Sequence, residues 1–271
     1  MNKITLYTSL VREYLFPSDC ALCGKMLLEG ADAWYGLCHD CRDIFPIGNE
    51  RRCSSCGRPL ISEQDRCLQC REGDGHAFDG AFILYPYTGK YRKLLGAYKF
   101  GKYRALGNFL GEKLVEGLSR FPPPGMANPR WVPVPPRPGK IKHAGWDQIE
   151  YLAGRLEGMG RNNRKKTDLD PMIEHNTPEK TLFPAHTDQY TNTYPLVYRC
   201  LRRLPSTSQK ELNRENRKTN LRGRIRCIKK PPAEVILFDD VFTTGSTLDA
   251  CAQALKDGGA EKVYAVCLFY D

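Results

Sequence analysis

A chain of 271 residues, 41% apolar and 27% charged, is longer than one ~100–150-residue domain needs and lies outside the compositions of disordered or collagen-like proteins. Its 41 Lys and Arg against 31 Asp and Glu leave a net charge of +10, which favours polyanions such as nucleic acid, anionic lipid or phosphorylated small molecules without choosing among them. No apolar run approaches the ~18 residues that cross a bilayer, and Met1–Phe16 lacks a continuous apolar core and a small-residue cleavage site, so the expectation is a cytoplasmic protein with no membrane span.

In chain order, Ile4, Tyr7, Val11, Tyr14 and Leu15 share one helical face, predicting a short amphipathic helix over residues 1–17. Cysteine spacing dominates the next segment. Eight of the twelve cysteines form four CxxC pairs: Cys20/Cys23, Cys38/Cys41, Cys53/Cys56 and Cys67/Cys70. A CxxC turn aims two sulfurs at one point, and two such turns complete a tetrahedron of thiolates around zinc. Disulfides need an oxidising compartment, for which no export signal speaks, and a redox CxxC would explain one pair only. Spacers of 14 and 10 residues suit two sequential ribbons with two structural zinc ions, predicting a double zinc ribbon over residues 18–73. Eight thiolates leave no coordination position open, so these metals fold the segment and catalyse nothing. His39 reads as a surface residue, and Cys200, Cys227, Cys251 and Cys267 read as buried free thiols.

Beyond Cys70 the pattern turns to strands and helices. Phe78–Tyr87 predicts a strand; Leu106, Phe109, Leu110, Leu114 and Leu118 predict a helix ending before the proline break at 121–125. Trp131–Pro136 predicts a strand running into a rigid loop, and Ile149, Leu152, Ala153 and Leu156 another helix. Residues 160–195 show no clear period and read as an extended loop or mobile insertion.

The segment from Ala233 to Phe269 reads strand, loop, helix, strand. Val235–Phe238 is an apolar run suited to a parallel strand covered on both faces. Leu248, Cys251, Ala252 and Leu255 form a helix stripe that Gly258 and Gly259 terminate, and Val263–Phe269 supplies the next strand. Between the first strand and the helix lies Thr243, Thr244, Gly245, Ser246 and Thr247. Backbone N–H groups, the positive end of the helix dipole and four hydroxyls converge there, which suits a phosphate dianion, with Gly245 allowing close approach. Asp239 and Asp240, just before it, would repel that phosphate and fit hydroxyl donors such as those of a ribose.

An apolar strand, two acids, two further residues and TTGST resemble the phosphoribosyl pyrophosphate (PRPP) motif of type I phosphoribosyltransferases. The wider arrangement resembles the ComF family of DNA-uptake competence proteins. The likeness runs from the paired knuckles through LLGAYKFGKYRALGNFL, WVPVPP, Ala144–Gln148 and Ser208–Gly223 to the motif strand. It implies an α/β phosphoribosyltransferase-like domain over residues 78–271, a mostly parallel sheet flanked by helices with the ligand at the carboxyl ends of its strands. It further implies Asp239 and Asp240 as catalytic residues on the ribose hydroxyls, Thr243–Thr247 on the 5′-phosphate, Arg137, Lys140 and Lys142 in the pyrophosphate loop, and Mg2+ arriving with PRPP. The chain departs from the family's Arg-Gly-Phe-Asn-Gln run, having Ala144, Gly145, Trp146, Asp147 and Gln148, and carries a longer interval after Gln148. Turnover would displace pyrophosphate from C1 of PRPP by an acceptor the sequence does not specify.

A binding function competes with this reading. Between Thr88 and Gly111 lie six basic and no acidic residues, and Lys99, Lys102 and Arg104 interleave with Tyr98, Phe100 and Tyr103, a pattern that can track phosphates and stack bases of single-stranded DNA. Residues 199–230 carry twelve basic residues against Glu211 and Glu215. A solvated face with inward-packed rings is the plain alternative for both. The resemblance also implies that the ribbons serve as an adaptor for a DNA-uptake helicase.

Overall fold

The computed structural model describes residues 18–28, 30–60, 64–73, 75–101, 103–167, 195–205 and 223–271, with backbone alone over 160–167. The expected helix over 1–17, most of the expected insertion, Ser208–Arg222 and Lys102 lie outside the described residues.

The N-terminal part is small and irregular: strands β1 (Ser18–Asp19) and β2 (Met26–Leu27) pair antiparallel, followed by short helices α1 (Gly30–Tyr35), α2 (His39–Asp43) and α3 (Leu68–Glu72). Strand β3 (Gly80–Pro86) then opens the main sheet, and helices α4 (Gly89–Lys99) and α5 (Leu106–Arg120) follow it. After β4 (Arg130–Pro133) come α6 (Lys140–Ala144) and α7 (Gln148–Thr167), the small hairpin of β5 (Leu201–Arg203) and β6 (Ile225–Cys227), and finally β7 (Glu234–Phe242), α8 (Ser246–Asp257) and β8 (Lys262–Tyr270).

The four long strands form one parallel sheet in the order β3-β8-β7-β4. Both faces are covered, which is why β7 and β8 are almost continuously apolar. One face carries Phe82, Leu84, Ile236, Phe238, Val266 and Leu268 beneath α4, α5 and α7. The other carries Ala81, Ile83, Val235, Leu237, Val263 and Ala265 beneath α8 and the β5–β6 hairpin. The outer edge of β4 is met by the segment around Val197, which bridges Trp131 in parallel.

The two halves of the N-terminal module straddle the β3 edge. The half containing Cys20 and Cys38 packs on the α4/α5 face through Tyr35, Leu37 and Phe45. The half containing Cys53, Cys56 and Cys70 packs on the α8 face. Between them, Arg52 donates to the Ile83 carbonyl at 2.6 Å, and Gly57 (φ +72°) lies so close to β3 that a Cβ there would stand 2.3 Å from the Ala81 carbonyl oxygen. An edge strand with free carbonyls invites further pairing; here the preceding segment occupies it.

Two expectations are corrected. The motif strand extends beyond Phe238 to Phe242, because Val241 and Phe242 keep register with Phe269 and Tyr270. The helix begun by Ile149 continues to Thr167, past the expected boundary at 160; Arg and Lys have good helix propensity, which an apolar-period criterion overlooks.

Candidate functional site

Two clusters of four cysteines bring their sulfurs together: Cys20, Cys23, Cys38 and Cys41, and Cys53, Cys56, Cys67 and Cys70, the ligand atoms of each within 4.8 Å of one another. A tetrahedron with Zn–S bonds of about 2.3 Å has S–S edges of roughly 3.8 Å, and the structure has Cys23–Cys38 and Cys56–Cys67 at 3.7 Å. The donor set and its spacing fit structural zinc, in the sequential pairing that the spacers suit better than an interleaved one. Burial raises the Cys20 and Cys53 thiols, but N–H donors outweigh it and bring Cys20 down to about 6 and Cys53 to about 7, favouring the thiolate a metal needs. His39 stays outside both sets, exposed and 3.2 Å from Asp43.

The second constellation sits at the carboxyl ends of β7 and β4. Gly245 adopts φ 77°, ψ −6° just before Ser246 starts α8, so the turn Thr243–Thr247 heads a twelve-residue helix, whose Ser246 N–H meets the Thr244 hydroxyl at 3.4 Å. The Thr244 and Ser246 hydroxyls lie 2.8 Å apart, and a Cβ at position 245 would sit 3.0 Å from the Phe242 ring and 3.1 Å from His76. Only glycine meets both the backbone sign and the space.

Strand alternation separates the two acids, because β7 runs through both of them. Asp240 follows Ile236 and Phe238 onto the α4/α7 face, where Lys99 approaches it at 2.7 Å and the Gln148 amide donates to it. Lys140 links to the same amide's oxygen and pairs with Asp147 at 2.5 Å. Asp147 in turn caps α7, accepting from the Ile149 and Glu150 amides at 2.9 and 3.0 Å. Asp147 is thus a helix cap and a partner for Lys140. Asp239 follows Val235 and Leu237 onto the other face. Burial, then its neighbour Asp240, pushes its carboxyl up to about 8. Burial first and Arg137 second lower the pKa of the Arg203 guanidinium on β5, with Asp239 opposing, which places three titratable groups in one electrostatic neighbourhood.

Of the residues singled out from the sequence, Asp240, Lys99, Lys140 and Gln148 join one network. Arg137 and Lys142 are exposed on the loop and helix after β4. The nucleic-acid candidates divide. Tyr98 is fully buried and its hydroxyl donates to the Gln148 carbonyl at 2.7 Å, so it cannot stack on a base. Lys99 is turned inward to Asp240 and belongs with the acids. Phe100 is 79% exposed and Tyr103 41%, with the exposed Arg104 against Trp146; among the described candidates these three keep the pattern of a stacking surface. Sequence reasoning missed Arg58, His76, Arg203 and Asp249. Arg203 lay inside the basic stretch already noted; Arg58 and His76 reach the turn from 185 and 173 residues away, and Asp249, in the first turn of α8, shows its role only through His76.

Among the described residues no helix is long and apolar enough to cross a membrane. Residues 11–71 match the double zinc ribbon domain family. The chain is similar to competence protein ComFC of Streptococcus pneumoniae, with 23% identity over 261 residues covering 90% of this chain and 96% of that protein.

Proposed function

The likeness to a competence protein and the match to a double zinc ribbon together support a ComF-family assignment, and we propose that the chain is a phosphoribosyltransferase-like protein that binds PRPP or a related phosphoribosyl ligand and serves competence-related DNA uptake. The observation that carries this reading is the left-handed turn at Gly245 heading α8, beside an acid held by Lys99 and Gln148. The 5′-phosphate takes the N–H groups and hydroxyls of Thr243–Thr247, and the ribose hydroxyls donate to the carboxylates at the strand end. Arg137 and Lys142 flank the departing pyrophosphate with Mg2+ carried in by the ligand. Lys99 and Gln148 orient Asp240. The domains follow from this: residues 18–73 as ribbon module, residues 78–271 as ligand domain.

Calorimetry with magnesium and PRPP tests it. Binding by the wild type, weakened at least tenfold by Asp240→Asn (about 1.4 kcal/mol), is expected; no heat with PRPP, ribose 5-phosphate or pyrophosphate overturns it. Pyrophosphate release across acceptor classes then separates turnover from sensing.

A second reading, a scaffold for single-stranded DNA, is favoured by Phe100 and Tyr103 standing exposed beside Arg104. Phe100→Ala with Arg104→Glu should weaken oligonucleotide binding and lower its salt slope, leaving PRPP binding intact. Lys99 is unsuited to that test, because reversing it also disturbs Asp240.

A further inference from the structure

The turn that heads α8 is not held by its own strand and helix alone. Arg58, two residues after Cys56 in the knuckle of the second ribbon, reaches across the chain: its Nη2 donates to the Thr243 carbonyl at 2.8 Å and the Asp271 carbonyl at 2.7 Å, while Nη1 donates to Gln69 at 2.9 Å. Its guanidinium also lies over the rings of Phe242 and Tyr270. One planar cation therefore ties the metal knuckle, the α3 helix that carries Cys70, and the entry to the turn.

A second tie follows Cys70. His76 places Nε2 4.0 Å from the Cys70 sulfur and Nδ1 3.1 Å from the Asp249 carboxylate, which also accepts from the Ala77 amide at 3.1 Å. A carboxylate only accepts, so Nδ1 carries the proton. The ring stacks on Phe78 and closes the space beside Gly245. Asp249 lies in the first turn of α8, and its own amide donates to the Gly245 carbonyl at 2.8 Å. The turn is thus gripped at both ends, at Thr243 by Arg58 from the second metal knuckle and at Asp249 by His76 from the segment that follows its last cysteine.

We propose that the second zinc ribbon and the segment following it position the phosphate turn, with Arg58 and His76 as positioning residues, so that affinity for a sugar-borne phosphate depends on these two contacts. The ligand half of the inference rests on the phosphoribosyl reading above; the mechanical half does not. A metal ligand's outer partners commonly orient the site around it; here the orientation runs outward, from knuckle to turn.

The test uses the full-length, zinc-loaded protein. Amide hydrogen exchange at residues 243–249 should quicken about fivefold in Arg58→Gln and His76→Ala, the scale expected for losing a bond to a backbone group, and recover in His76→Asn, whose amide can replace Nδ1–H. Exchange at 53–57 and the zinc content should stay as in the wild type, which a general loosening of the ribbon would not allow. Magnesium-PRPP affinity should fall about tenfold in the same two variants and recover with His76→Asn. Unchanged exchange over 243–249 in both variants overturns the proposal, as does wild-type affinity in both. If the wild type itself binds no phosphoribosyl ligand, the phosphoribosyl reading falls, and the exchange comparison still decides the coupling. Should His76→Ala release zinc, Arg58→Gln decides the matter, since its bonds to Thr243 and Asp271 lie away from the sulfurs.

Discussion

The two zinc ribbons share a ligand set and a knuckle geometry, yet they are joined to the sheet by different chemistry. The first is built into the main core: Phe45 is fully buried against Phe109, Tyr85 and Tyr91, Tyr35 donates to Glu112, Tyr85 donates to the Phe45 carbonyl and Asn108 to that of Trp34. The second makes its distinctive contacts through a guanidinium and an imidazole that end on the turn before α8. Apolar burial is non-directional and sets how stable the molecule is, whereas hydrogen bonds to named carbonyls fix where a loop sits. The same metal motif thus serves bulk stability on one face and placement on the other. The acids follow the same division, Asp240 on the first ribbon's face and Asp239 on the second's.

The largest effect expected is on the first ribbon. Phe45→Ala should cost about 3–5 kcal/mol in urea unfolding, the usual penalty for a truncated core aromatic, while the remaining folded protein keeps its PRPP affinity; a selective loss of affinity would erase the contrast. Gly57→Ala comes next. A side chain there meets both a left-handed φ and the Ala81 carbonyl, so the second knuckle must lift from β3 at roughly 2–3 kcal/mol by thermal melting. Unlike Phe45→Ala, it should also quicken exchange at 243–249.

Asp239→Asn sharpens the comparison through pH. Burial holds this carboxyl up at about 8, so the folded state keeps a proton that the unfolded chain releases near pH 4. Its contribution is full below pH 4 and is lost as pH rises through 8. The variant's stability advantage should therefore grow from pH 5 to pH 8 in parallel denaturation curves; a constant difference would contradict the assigned burial. Because Asp239 remains partly exposed, this effect is expected to be smaller than that of the core truncation. Smallest is Tyr98→Phe, which removes the bond to the Gln148 carbonyl and should cost about 1 kcal/mol without altering oligonucleotide binding.

Much of this was legible along the chain because it is written in short spacings. The CxxC pairs need only four residues each; the spacers favour sequential over interleaved pairing, and it is the clustering of the sulfurs that decides it. The helix ending at Arg120 and the turn at Gly245 are likewise local, set by apolar period and by a glycine before a hydroxyl-rich helix start. The apolar stretch 235–238 announced a buried strand but not its end, since the extension to Phe242 depends on register with Phe269 and Tyr270. Tyr98 and Lys99 misled for a related reason: a basic and aromatic stretch reads as a surface until the start of α7 supplies a carbonyl for one and brings Gln148 beside the carboxylate that holds the other. Arg58 and His76 had no local mark, because a guanidinium beside a knuckle looks like any solvated arginine until the far end of the chain folds back upon it.

The way the N-terminal module wraps the β3 edge has a consequence for handling the protein. Stripped of metal, the chain would bare a hydrogen-bonding border and two apolar flanks at once, and copies would add to one another along that border. Chelation should accordingly convert dispersed protein into sedimenting aggregates before the remaining sheet melts, so that metal supply governs solubility as well as shape.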